Sequence, residues 1–144
     1  AYACLSESPR MVSGADTLLQ ELDRPRCIAS NSGLAWIDLG LRMAGIDRFF
    51  SETCRFSAAQ VAKGKPAPDV FIHAATSMAV DPGACIVIED SIHGVHAARA
   101  AGMQVIGFIG GSHIEDGHAD VLIQGGACAI LDTLPALPDL LKRL

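Results

Sequence analysis

Two carboxylates, Glu89 and Asp90, stand side by side at the end of the apolar run Cys85-Ile86-Val87-Ile88. Adjacent like charges repel, and the end of a buried strand hydrates them poorly. Something cationic is therefore expected beside them. Two other polar features follow or interrupt apolar segments. Ser30-Asn31-Ser32 comes directly after Cys27-Ile28-Ala29, and Lys65 lies in the loop Lys63-Gly64-Lys65-Pro66-Ala67-Pro68. The first offers hydroxyl and amide groups and the second an ammonium, so the three features together can bind charged ligands if the fold brings them to one edge.

The elements that must position them alternate short apolar runs with amphipathic stretches. Arg26 to Ser30 reads as a strand, and Gly33 to Ala44 as a helix with Leu34, Ile37, Leu41 and Ala44 on one face. Phe49 to Phe56 is mixed and has room for a short strand. Residues 63–68 form a loop, because two prolines and a glycine break any period. Asp69 suits an N-cap for a helix reaching about Met78. Cys85 to Glu89 is continuously apolar before its acid, as in a parallel strand buried on both faces. Ser91 to Ala101 reads as a helix closed by Gly102, Gln104 to Ile109 as a strand, Ala119 to Ile123 as another short strand, and Leu134 to Leu144 as a terminal helix. Strands separated by helices imply right-handed crossovers and an α/β fold with a doubly wound, Rossmann-like parallel sheet. Ligands of such sheets bind beyond the carboxyl ends of the strands. Ser30-Asn31-Ser32, the Lys65 loop and Glu89-Asp90 all fall at such ends.

Composition narrows the function classes. The 144 residues suit one domain, residues 1–144, with a substantial core; half are hydrophobic and 19% charged, which fits a globular and not a disordered chain. The net charge of −5, with no Lys/Arg cluster, argues against a nucleic-acid partner. No apolar run is long enough to span a bilayer. The five cysteines (Cys4, Cys27, Cys54, Cys85 and Cys128) are scattered and contain no C-x-x-C pair. They read as buried thiols of a cytoplasmic protein.

The segments CIASNSG (27–33), GKPAPDVF (64–71) and IVIEDSIHGVHAARAAGM (86–103), in that order, resemble the haloacid dehalogenase superfamily of phosphohydrolases, most closely its sugar-phosphate phosphatase and β-phosphoglucomutase branch. The resemblance runs from about Ser13 to the C-terminus. It implies a Mg²⁺-dependent phosphohydrolase of small phosphorylated metabolites, sugar or sugar-acid phosphates, acting through an aspartyl-phosphate. Phosphoryl transfer requires its negative charge to be neutralised and its reacting atoms to be held in line. By this resemblance Ser30 donates a hydrogen bond to a phosphoryl oxygen, aided by Asn31. Lys65 sets its ammonium against the phosphate. Asp90 is a direct ligand of Mg²⁺, and Glu89 binds the ion directly or through water. The acid pair separates the chain from the dehalogenases proper, which need no metal.

The family's hhhhDxDGT element, whose first Asp is the nucleophile and whose second is the general acid and base, has no counterpart in the sequence. AILDTLPAL (129–137) imitates it but lacks the second acid. The helical cap that follows that element is also missing. The chain therefore resembles the C-terminal two-thirds of a capped phosphatase, with the first strand absent, two strand edges left open, and the motif-bearing segment expected upstream or as a separate peptide. A phosphomutase built on the same core, and a non-catalytic fragment or half of a split enzyme, are the alternative readings. Lys63, outside the GKPxPD frame, is expected to be solvated. His93 and His96 are expected on a solvent face, His113 and His118 on the surface of a Gly-rich loop, and Trp36 in packing.

Overall fold

The computed structural model describes residues 2–3 and 12–144; Cys4 lies outside the described residues. Among the described residues six strands, β1 (Tyr2–Ala3), β2 (Ile28–Ser30), β3 (Arg55–Ser57), β4 (Ile86–Glu89), β5 (Gln104–Phe108) and β6 (Ala129–Leu131), alternate with six α-helices. These are α1 (Ala15–Glu21), α2 (Leu34–Met43), α3 (Asp69–Ser77), α4 (Ile92–Ala100), α5 (His118–Gly125) and α6 (Leu137–Lys142). Every strand pair is parallel. One sheet has the order β1-β4-β5-β6, and β2 pairs with β3 in a second. The structure is thus the expected α/β fold with parallel strands and helical crossovers.

The central strands are buried on both faces, as their unbroken apolar sequence requires. Alternation divides their side chains between two cores. Val87 and Val105 pack with Val70, Phe71, Ala74, Val95 and Leu122 from α3, α4 and α5. Ile88 and Ile106, one residue on, pack with Leu18 of α1 and Leu137 and Leu141 of α6. A third cluster joins Ile28 of β2 to Ile37 and Leu41 of α2 and to Phe50. Within β4 the alternation has a direct consequence for the acids. Glu89 falls on the same face as Val87, beneath α4, whereas Asp90 lies just past the strand.

The structure departs from the sequence reading at several places. A short strand it did not assign, β1, runs parallel to β4, with Tyr2 opposite Val87 and Ala3 opposite Ile88. It also lies next to β2, so backbone occupies the interval between β2 and β4. The run Ala119 to Ile123 is not a strand but the middle of α5. Leu122 alone is buried there, while Val121 and Ile123 are exposed. A five-residue apolar run is too short for periodicity to tell a helix from a strand. Trp36, expected in packing, is 71% exposed. The buried stripe of α2 is Ile37 and Leu41, and a residue one position away is turned about 100° around the helix. Asp69 starts the first turn of α3 instead of capping it, and Pro68 is the cap residue.

Among the described residues no helix is long and apolar enough to cross a membrane. Cys27 and Cys85 are buried as expected, whereas Cys54 is half-buried and Cys128 exposed, so the reading of buried thiols fails at these two.

Because Ile106 is fully buried at the centre of the sheet, Ile106→Ala is expected to cost about 2–5 kcal/mol in urea unfolding through lost transfer energy and a residual cavity. A loss under about 1 kcal/mol would show that β5 is not the packed centre described here.

Candidate active site at the carboxyl ends of the strands

Ser30 ends β2 and Glu89 ends β4, so the parallel topology delivers both to the same edge. The Lys65 loop folds onto that edge through Asn31. Asn31 Oδ1 accepts from the Lys65 backbone N–H at 2.8 Å, and Asn31 Nδ2 donates to the Lys65 carbonyl at 3.3 Å. A two-point bracket of this kind fixes the backbone of Lys65 against the end of β2. Gly64 is what permits the approach, since a Cβ there would lie 2.9 Å from Asn31 Oδ1. The Lys65–Pro66 peptide is cis.

From that anchored backbone the Lys65 side chain runs inward. Its Nζ donates to Glu89 Oε1 at 2.5 Å and to the Ala29 carbonyl at 3.0 Å, and it sits 4.6 Å from the centroid of the Phe71 ring. The side chains of Lys65 and Glu89 are only 4% and 0% exposed. Charge, hydrogen bonds and a cation–π contact thus offset the desolvation of the ammonium. The other carboxylate oxygen, Oε2, accepts from the Ser91 hydroxyl at 3.1 Å and from the Ser91 backbone N–H at 3.3 Å. Ser91 Oγ in turn accepts from the Gly94 N–H at 3.0 Å, capping α4. The face that Glu89 occupies has room for a carboxylate only because residue 94 is a glycine. A Cβ at Gly94 would fall 2.0 Å from the Glu89 carboxyl carbon.

Asp90 meets different partners. His113 Nε2 lies 3.1 Å from Asp90 Oδ2, and His118 Nε2 lies 2.6 Å from the Asp90 backbone oxygen. Both histidines come from the β5–α5 connection, residues 109–117, and the first residue of α5. Burial, first, and the nearby Glu89 charge raise the Asp90 pKa above its ordinary value of 3.8, against a lowering by His113 and by the backbone N–H of Asp90. The side chain remains 11% exposed.

All five residues singled out in the sequence therefore lie on or beside this edge, with different degrees of engagement. Lys65 and Glu89 are in direct contact, Asn31 holds the Lys65 backbone, and Asp90 adjoins Glu89. Ser30 is 5% exposed, and its Oγ accepts from the Ser32 N–H at 3.1 Å, which leaves the hydroxyl proton for another acceptor. Lys63, His93 and His96 are exposed, as expected. His113 is exposed on its loop as expected and His118 is half-buried, but the sequence reading missed that both face Asp90. Their separation of five residues in a Gly-rich loop carries no periodic signal that would have pointed to Asp90.

Among the described residues no three His, Cys, Asp or Glu side chains converge as a metal site. Asp90 nonetheless suits a hard cation: it is an oxygen donor still open to solvent, and Mg²⁺ takes one or two carboxylates and fills its octahedron with water and phosphate oxygens.

Known proteins resemble the chain in sequence and in fold. A family model described as a hydrolase, haloacid dehalogenase-like, matches residues 2–102. The chain is 39% identical over 111 residues to a probable pseudouridine-5'-phosphatase of Drosophila melanogaster, an overlap of 71% of this chain and 47% of that protein. It is 37% identical over 83 residues to a fructose-1-phosphate phosphatase of Escherichia coli K12, which spans 58% of this chain and 43% of that one. A solved hydrolase from Deinococcus radiodurans, crystallised with bound phosphate and sodium, matches with a TM-score of 0.84 at 32% identity, over 92% of this chain and 59% of that chain. The chain spans no more than about half the length of the two phosphatases.

Removing one member of the buried pair leaves the other charge uncompensated. Lys65→Met is expected to destabilise by about 3–5 kcal/mol in urea unfolding, with much of that loss recovered in Lys65→Met/Glu89→Gln. Equal losses in the single and double variants would show that the ion pair is not the source.

A second expectation concerns pH. The folded state holds the Asp90 proton more tightly than the unfolded chain, so this group contributes stability at low pH that is lost as pH rises through its raised pKa. In metal-free protein, Asp90→Asn should therefore gain on wild type as pH rises above the ordinary Asp range, read as the difference in urea midpoints below the pH at which histidines titrate. A difference that stays flat would contradict the burial of this carboxylate.

Proposed function

The chain belongs to the haloacid dehalogenase-like hydrolase family, and from that premise we propose that it forms the phosphate- and cation-binding part of a Mg²⁺-dependent phosphohydrolase acting on small phosphorylated metabolites, sugar or sugar-acid phosphates. The observation that carries this reading is the buried Lys65 ammonium held against Glu89 at the carboxyl ends of parallel strands. A lysine is rarely buried unless its charge is paired, and here the pairing fixes a positive charge at the edge where such sheets bind ligands.

In this reading Lys65 supplies the fixed positive charge that a phosphoryl group meets. It is kept from drifting by Asn31 on its backbone and Glu89 on its Nζ. Ser30 donates its hydroxyl proton to a phosphoryl oxygen from the end of β2. Asp90 holds Mg²⁺, with Glu89 acting on the ion through water, since both Glu89 oxygens are already engaged by Lys65 and Ser91. The bound cation would neutralise phosphate charge as the reaction proceeds. The attacking aspartate of a D-x-D segment belongs, in this proposal, to sequence outside these 144 residues. The relatives named above as phosphatases of a nucleotide-like and a sugar phosphate support the substrate class.

The test is phosphate release by the intact protein from a panel of sugar phosphates. Activity is expected to disappear on chelation and return with Mg²⁺, and to fall by about 10²-fold or more in Asp90→Ala and in Lys65→Met. Chelator-resistant turnover, or wild-type turnover in Asp90→Ala, would overturn the reading.

A further inference from the structure

We propose that His118 is a positioning residue for Asp90, acting through the main chain, and that His113 on the same connection is a competing partner that the cation displaces. The inference rests on the reading of Asp90 as the Mg²⁺ ligand and adds residues to that site which its motifs do not contain.

The two histidine contacts differ in kind. A backbone carbonyl can only accept, so the 2.6 Å contact requires His118 Nε2 to carry the proton and donate to the Asp90 oxygen. That carbonyl belongs to the peptide linking Asp90 to Ser91, the cap residue of α4. The bond therefore ties the turn between β4 and α4 to the first residue of α5, 28 positions away in sequence. Asp90 stands outside the β4 ladder, whose last paired residue is Glu89 opposite Gly107. Its orientation depends on contacts of this sort. His118 is half-buried at the start of a helix packed on α4 and β5, which makes it a firm anchor.

His113 instead touches the carboxylate itself at Oδ2, from a loop position that is 47% exposed. A cation taking Asp90 must share or replace that contact. Substituting the two histidines should therefore shift Mg²⁺ affinity in opposite directions. Loss of His118 leaves the ligand loosely aimed, and loss of His113 leaves it less occupied. Partners that orient a metal ligand are commonly worth about tenfold or more in affinity.

The experiment is calorimetric Mg²⁺ titration of the intact protein, with melting temperature recorded for each variant. His118→Phe, which keeps a planar ring and removes the donor, is expected to weaken binding about tenfold. His118→Gln, whose amide can donate from a similar reach, is expected to restore most of it. His113→Ala is expected to bind Mg²⁺ more tightly than wild type, and equal or weaker binding would refute its role as a competing partner. If His118→Phe does not fold, His118→Ala takes its place with the same expectation. A purely structural role would lower the melting temperature of His118→Phe and His118→Gln alike without separating their affinities, and that result overturns the proposal. Wild-type affinity in His118→Phe also overturns it. Asp90→Asn runs alongside: if it binds Mg²⁺ as wild type does, the metal reading of Asp90 itself has failed, whereas loss of binding in Asp90→Asn with none in His118→Phe refutes the positioning role alone.

Discussion

The ion pair between Lys65 and Glu89 sits almost sealed from solvent, and the local structure around it is arranged to make that possible. Either charge alone at this depth would be costly, so the loop that bears Lys65 can take up only a position that delivers its ammonium to the end of β4. Three small features follow from this requirement. Asn31 grips the Lys65 backbone, Gly64 lets Asn31 close on the loop, and Gly94 clears the space under α4 that the Glu89 carboxyl fills. A buried pair of this kind is a poor source of net stability compared with apolar packing. What it secures is the position of a positive charge at the ligand-binding edge of a parallel sheet.

The same constraint explains how two neighbouring acids coexist. Strand alternation sends Glu89 inward, where Lys65 and Ser91 use both of its oxygens. Asp90 leaves the strand and meets His113 and His118 from the connection that follows β5 and the start of α5. Each carboxylate thus has its own counter-groups, and their mutual repulsion survives only as one of the causes that raise the Asp90 pKa. The less satisfied of the two acids is the one nearer solvent. This division of labour suits a site in which one acid holds a lysine and the other remains available to a cation.

The elements of the core were readable because their signals are local. Val87 and Ile88, or Val105 and Ile106, announce a strand buried on both sides by being apolar in succession, and the structure sends each to a different cluster. The polar residues of the segments 27–33, 64–71 and 86–103 stood out for a related reason, since they close a strand or fill a loop at the carboxyl edge of the sheet, while the roles expected of them came from the family resemblance. Where signals were short or ambiguous the reading failed. Val121-Leu122-Ile123 has the composition of a strand but only one buried side chain, and it forms a helix. Trp36 has the character of a core residue but lies beside the buried stripe of α2 and faces solvent.

By itself, then, the sequence determined the alternation of strands and helices, their parallel arrangement, and which polar residues stand at the strand ends. These depend on the period of apolar residues and on turn chemistry within a few positions. Only the tertiary structure decided which partner each of those residues has. Lys65 reaches Glu89 across 24 positions and His118 reaches Asp90 across 28. Such contacts depend on how a loop and a helix pack over the sheet, and no periodicity encodes that. The pairing of charges, and with it the difference between an acid that anchors a lysine and an acid open to a cation, comes from burial and geometry that arise only when the chain is folded.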